Sequence, residues 1–381
     1  MRHVLLFVVC FVLLFSVTAI SEEYRIVGWN DLGMHCSNYD FSKIVVLPPY
    51  NVVRAHVIKV GDANHLPTLV TDGIEVTYEI PGNTYSVGKT NFWDYEDKLF
   101  GVNLEPNIGL TGEGLSGKMS VHENYFHVDG IPLTPYTDAD LKHEDPYQLA
   151  LLTLHKDGKV LATTKPVVPV SNEINCVSSG CHTSEEQIMD LHGDQGGFDK
   201  SKTPILCASC HSSNALGTKG QPGTSSLSQA MHKFHGDKTN DCAKCHPGPM
   251  TRCLRGVMAT DYELVCQDCH GTVSEVGMSI VNGRQPWLNE PSCGNESCHG
   301  AKYAEEPGKL FRESKGHGEL FCSTCHGSPH AIAPSREKRD NVQFTALQGH
   351  AGTLNTCSVC HGVTPSGEGP HGVMATASHD E

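Results

Sequence analysis

The chain predicts two unlike halves: an N-terminal all-β domain of immunoglobulin-like sandwich type over residues 20–170, then short helices and loops over 171–381 without a conventional core. Three observations predict this. Runs rich in Val, Ile, Leu and Tyr recur before residue 170 at the spacing of short strands. Past that point they give way to Gly, Ser, Pro and Thr. Fifteen of the 17 cysteines fall between Cys176 and Cys360, fourteen of them in pairs.

In the first half, 43–47, 51–60, 73–80 and 149–154 read as strands. Asp157-Gly158 joins 150–156 to 160–164 and is a strong two-residue hairpin signal. Pro48-Pro49, Pro81-Gly82 and Pro132 mark turns. The aromatic cluster Phe92, Trp93 and Tyr95 reads as sandwich core or as a contact surface. The boundary between halves lies near 169–175. Beyond it, 225–236 has helical spacing, and 185–192 makes a second short helix.

The second half repeats one pattern seven times. Cys207-Cys210-His211, Cys242-Cys245-His246, Cys266-Cys269-His270, Cys322-Cys325-His326 and Cys357-Cys360-His361 read C-x-x-C-H. Cys176-Cys181-His182 and Cys293-Cys298-His299 read the same with four residues between the cysteines. This is the attachment signature of c-type haem. Two thiols bond to one porphyrin, so they must share a short turn, and the next residue supplies a proximal imidazole to the iron. Zinc sites join two cysteine pairs around one metal and need no histidine after each. The sequence therefore predicts seven covalently attached haems. Their apolar mass stands in for the missing core, and this half is expected not to fold without them.

A low-spin haem iron takes a sixth ligand. Past Cys176 the histidines outside the motifs are His192, His232, His235, His317, His330, His350, His371 and His379. Leaving out His379 at the C-terminal end, seven remain for seven irons, which predicts bis-histidine ligation throughout. His232 and His235 stand three apart on one helical face and could serve two adjacent haems. Met231, Met258 and Met374 are the competing distal ligands. His56, His65, His122, His127, His143 and His155 lie in the β half and read as ordinary surface or core residues. Cys36 and Cys253 remain outside the motifs. They read as a disulfide tying the halves together, or as two free buried thiols.

Arg2 and His3, an apolar run over 4–15, and Val17-Thr18-Ala19 read as an export leader over 1–19, with a retained membrane anchor as the competing reading. Cys10 lies in that run without lipobox flanks. No later stretch is long enough to span a bilayer. The formal net charge is −15, and haem propionates would add to it. That argues against nucleic acid and anionic membrane surfaces, and leaves cationic partners, metal ions and oxidised minerals open.

The haem half resembles multihaem c-type cytochromes of metal- and sulfur-respiring bacteria and archaea. The motifs carry the resemblance, with the insert Thr251-Arg252-Cys253-Leu254-Arg255 and the opening Gly28-Trp29-Asn30-Asp31-Leu32-Gly33-Met34-His35-Cys36. It implies an exported electron carrier, periplasmic or extracellular, serving redox partner proteins or extracellular acceptors. Some such cytochromes polymerise with a histidine of one subunit on a haem of the next, and His35 is the residue placed to do so here. The large β half departs from the simplest of them. Two other functions stand beside electron transfer. A multihaem reductase of nitrite, hydroxylamine or a sulfur oxyanion needs one open iron. A binding role would rest on the β half.

Overall fold

The computed structural model describes residues 23–195, 199–366 and 369–372. The leader with Cys10, Met374 and His379 lie outside these described residues.

The strand Asn51–Lys59 organises the first half. It pairs antiparallel with Tyr24–Trp29 on one side and Tyr125–Ile131 on the other. Ser120–His122 adds beyond Tyr125–Ile131, and Thr68–Leu69 pairs at its far end. Side chains along a strand alternate between faces. Val53, Ala55 and Val57 point into the main core with Ile26, Phe126 and Val128. The intervening Val52, His56 and Ile58 are buried too, on the opposite face. A central strand covered on both sides explains the nearly unbroken apolar run.

A second antiparallel sheet runs Lys159–Thr164, Leu151–Lys156, Glu75–Glu79, Ser116–Lys118. Its Val76, Tyr78, Leu152 and Leu154 close the same core from the other side. The chain crosses between sheets at two buried apolar residues. Met119 separates Ser116–Lys118 from Ser120–His122, which pair in different sheets. Ala150 separates Leu151–Lys156 from Tyr147–Leu149, which pairs with Val167–Ser171 in a third sheet completed by His35–Cys36. The segment 149–154, read as one strand, is thus two. The Asp157-Gly158 hairpin forms with φ of 51° and 74°, as a right-twisted two-residue turn requires.

The expected strand 43–47 contracts to Ile44–Val45, because its partner comes from the other half: it pairs in parallel with Ile205–Leu206. Phe92 is fully buried with Phe41, Val45, Leu206 and Ala208, so the aromatic cluster is core at this junction. Helices Glu185–Asp194 and Leu227–His235 fall where the spacing placed them, each N-capped by a serine, Ser184 and Ser226. Val273–Val281 is a further helix, opened by a Thr272–Glu275 capping box. Among the described residues no helix is long and apolar enough to cross a membrane.

The second half packs on the outer face of the first sheet. Phe321, one residue before the Cys322-Cys325-His326 motif, joins Trp29, Tyr125 and the ring of His56. Burying such an aromatic contributes about 1.5–3 kcal/mol. Arg255 is fully buried, paired with Asp340 through Nε at 2.7 Å and Nη2 at 2.9 Å, and its Nη1 donates to the Gly33 carbonyl at 2.6 Å. It fastens the 251–255 insert to the 28–36 opening. Gln343 accepts from Gly28 N and donates to Gly28 O, both at 2.8 Å, pairing with that strand's free edge through a side chain.

Candidate metal centres

Each motif is a tight turn at the surface of the second half. In the short form, the histidine N–H donates to the first cysteine's carbonyl: His211 to Cys207 at 3.0 Å, His246 to Cys242 and His361 to Cys357 at 2.9 Å. The long forms close with the same bond, His182 to Cys176 at 3.1 Å and His299 to Cys293 at 3.3 Å. The two extra residues are accommodated inside the turn; in the first motif Gly180 takes a φ of 77°. All seven motifs therefore present two thiols and an imidazole in a comparable frame.

Two imidazoles bound in line to one iron, each nitrogen at about 2 Å, hold their ring centres about 6 Å apart. Six motif histidines have a second imidazole at that distance. His182 lies 6.4 Å from His235, His211 6.1 Å from His192, and His246 6.0 Å from His232. His270 lies 6.3 Å from His330, His326 6.1 Å from His371, and His361 5.9 Å from His317. The helix Leu227–His235 places two of these rings, with His232 facing the third motif and His235 the first.

The ring nitrogens are oriented as ligation requires. A carbonyl can only accept, so contact with one fixes the proton on Nδ1 and leaves Nε2 for a metal. His232 Nδ1 donates to Ser228 O, His235 Nδ1 to Met231 O and His211 Nδ1 to Ser225 O, all at 2.8 Å, and His330 Nδ1 to Leu32 O at 3.3 Å. Burial favours the neutral, ligating form: it pushes His246 down to about 4 and lowers His232, His270, His326 and His361. These residues fit a bis-histidine haem. Among the described residues no three or more His, Cys, Asp or Glu side chains converge on one point for a metal ion. A porphyrin supplies four ligands to its iron, so protein ligands in pairs are what it needs.

Cysteines of successive motifs feel one another, which gives the motifs an order in space. Burial raises the Cys207 thiol to about 12 and Cys176 adds to it, which sets the second motif beside the first. Cys245, raised by burial, is raised further by Cys176 and Cys181. Cys242, pushed up to about 11 by burial, meets Cys266. Cys269 likewise meets Cys298, Cys293 meets Cys322, and Cys325 meets Cys360. Numbering motifs along the chain, the spatial sequence is second, first, third, fourth, fifth, sixth, seventh.

The structure departs from the sequence reading at His350 and His35, and at Cys36 and Cys253 it takes one of the two alternatives, free thiols. His350, expected as a distal ligand, is exposed: its Nδ1 donates to Ala351 O at 2.9 Å and its Nε2 lies 3.4 Å from Thr356 Oγ1. Correspondingly, no second imidazole among the described residues lies at the bis-histidine distance from His299, whose ring neighbour is Tyr303 at 6.2 Å. His35, expected to reach a neighbouring subunit, is buried, its Nε2 2.9 Å from Asp31 Oδ1 and its strand paired with Val167–Ser171. Cys36 and Cys253 come together as free thiols rather than a disulfide. Burial pushes Cys36 up to about 12, with Cys253 adding to it, while the Cys253 sulfur is engaged by His330. His330 is itself raised to about 9, chiefly by Cys253.

In the β half, His56 is core, while His65 and His143 sit exposed against Asp62 and Asp140. The pairing of distal histidines escaped the sequence, as did the second ring anchor supplied by Leu32 from the opening segment. Comparison with family models, with curated proteins and with solved structures gave no match.

Proposed function

We propose that the chain is an exported heptahaem c-type cytochrome that conducts electrons, periplasmic or extracellular, and does no bond chemistry of its own. One observation carries the reading: six of seven motif histidines face a second imidazole at 5.9–6.4 Å, in motifs each of which neighbours another. Haem, when bound, supplies one-electron redox chemistry at iron. The chain supplies the rest. Cysteine pairs would fix each group, a second imidazole would complete the metal at six of the seven, and backbone carbonyls on Nδ1 hold rings in place and raise their basicity. We propose further that the first half is an immunoglobulin-like sandwich, which its two facing antiparallel sheets support: Tyr24–Trp29, Asn51–Lys59, Tyr125–Ile131 and Ser120–His122 in one, Lys159–Thr164, Leu151–Lys156, Glu75–Glu79 and Ser116–Lys118 in the other. It serves as the plate on which the haem half is laid.

The second reading is a reductase with one open iron. His299 favours it, since the fifth motif alone has no second imidazole among the described residues. The test is a haem count with visible and electron paramagnetic resonance spectra of the loaded protein. Seven covalent haems, all low-spin, support the conduit. One high-spin haem in seven, shifting on addition of nitrite or hydroxylamine, transfers the lead to the reductase. A chain without covalent haem ends both.

A further inference from the structure

The loop after Glu75–Glu79 buries a lysine that electron transfer does not use. The Lys89 side chain is 0 % exposed. Its Nζ lies 2.7 Å from Asn83 Oδ1, 2.6 Å from Asp138 Oδ1 and 4.1 Å from the centroid of the Tyr85 ring. Asn83 is also fully buried, and its Nδ2 donates to Thr134 O and to Gln148 Oε1, both at 2.9 Å. These two bonds stop the carboxamide from turning and aim its oxygen at the lysine. Asp138 is held in turn by the Thr84 N–H at 3.1 Å and the Thr84 hydroxyl at 2.9 Å. An amine, a carboxamide and a carboxylate therefore converge, with the carboxamide carbon one C=O bond, about 1.2 Å, behind the oxygen that Nζ already touches.

We propose that Lys89 and Asn83 are joined by an amide bond between Nζ and Cγ, formed within the folded chain with Asp138 as proton carrier. Asp138 takes a proton from the Lys89 ammonium and frees its lone pair. Nζ attacks Cγ, the new N–C bond forms, and the carbonyl electrons move onto Oδ1. Those electrons return as the Cγ–Nδ2 bond breaks, and a second Nζ proton passes through Asp138 to the departing nitrogen. Ammonia leaves and takes up the first proton as ammonium, which restores the carboxylate. Lys–NH3+ and the carboxamide become a secondary amide and NH4+, with no oxidant or co-reactant. The first transfer is aided by burial, which lowers the proton affinity of Lys89 while Asp138 opposes it. Holding the reactants at contact distance lowers much of the remaining barrier.

The experiment is a tryptic digest of the haem-loaded protein read by mass spectrometry. The expected peptide spans 60–98, resists cleavage after Lys89, is lighter by one ammonia, about 17 Da, and yields no backbone fragments between residues 83 and 89. Asp138→Asn, which leaves both reacting side chains in place, is expected to restore cleavage and full mass. A wild-type peptide of full mass cut after Lys89 overturns the proposal. So does the same mass loss with cleavage retained, the mark of a succinimide at Asn83. The wild-type digest is decisive whether or not the variant folds.

Discussion

At the scale of single residues, imidazoles divide by what their nitrogens meet. His56 lies between Trp29, Tyr125 and Phe321, its Nδ1 donating to Asn124 O at 3.1 Å while the Phe321 N–H donates to its Nε2 at 3.3 Å. Burial pushes it down from an ordinary 6.5 to about 4. The unfolded chain therefore binds a proton that the folded chain refuses, and stability falls as pH drops through that interval. The loss amounts to about 3 kcal/mol by the lower end. Denaturant unfolding followed by circular dichroism from pH 7 to 4 should show this decline, and a flat profile would refute it. The ligand histidines make a sharper test. His232→Ala should disturb only the haem of the third motif and His235→Ala only that of the first, each converting one low-spin signal. Which histidines are candidates was legible in the sequence; which motif histidine each one faces was not. His350 and His371 both lie near the last motif and both are exposed, and only the folded chain shows that His371 alone of the two stands 6.1 Å from His326.

At the scale of elements, two features set the ligands. The helix Leu227–His235 packs closely on Val273–Val281, where a Cβ on Gly277 would meet the backbone of Lys233 at 2.9 Å. Gly277→Ala should push the helices apart and move His232 and His235 together, so two haem spectra change from a residue that binds neither. Spectra identical to wild type would show that the contact sets no ligand. The buried Arg255–Asp340 pair is the other. Arg255→Met strands a buried carboxylate and should cost about 3–5 kcal/mol in denaturant unfolding. The same change at the half-exposed Arg339, paired with Asp145, should cost about 1 kcal/mol or less. Helices 185–192 and 225–236 could be read from spacing because their periodicity is local. The strand break at Ala150 could not, since an apolar run that changes sheets looks like one that continues. The shortening of 43–47 was hidden for a similar reason: its partner Ile205–Leu206 lies in the other half.

At the scale of the whole molecule, the halves differ in what holds them up. The core of the first draws on both of its sheets, whereas among the described residues the second contributes Leu206, Ala208 and Phe321, with Leu216 packed alongside, to the shared apolar clusters. Chain made without haem attachment should therefore keep slow amide exchange in Asn51–Lys59 and Leu151–Lys156 and lose it across 176–366. Uniform protection would show that the second half needs no cofactor to fold. The repeat and composition foretold this contrast. They could not foretell the order of the motifs, in which the second lies at one end, because that order depends on how loops return across the sheet.

The Gln343 carboxamide on Gly28 bears on assembly. An outer strand with unspent backbone groups invites a strand from another molecule. At Gly28 in Tyr24–Trp29 that invitation is closed, since Gln343 uses both the N–H and the C=O that this residue turns outward. Any sheet-to-sheet joining of two copies is thereby steered to the opposite border, where Ser120, Val121 and His122 stand exposed. The side chain that seals the two halves together also gives the sheet a direction of growth.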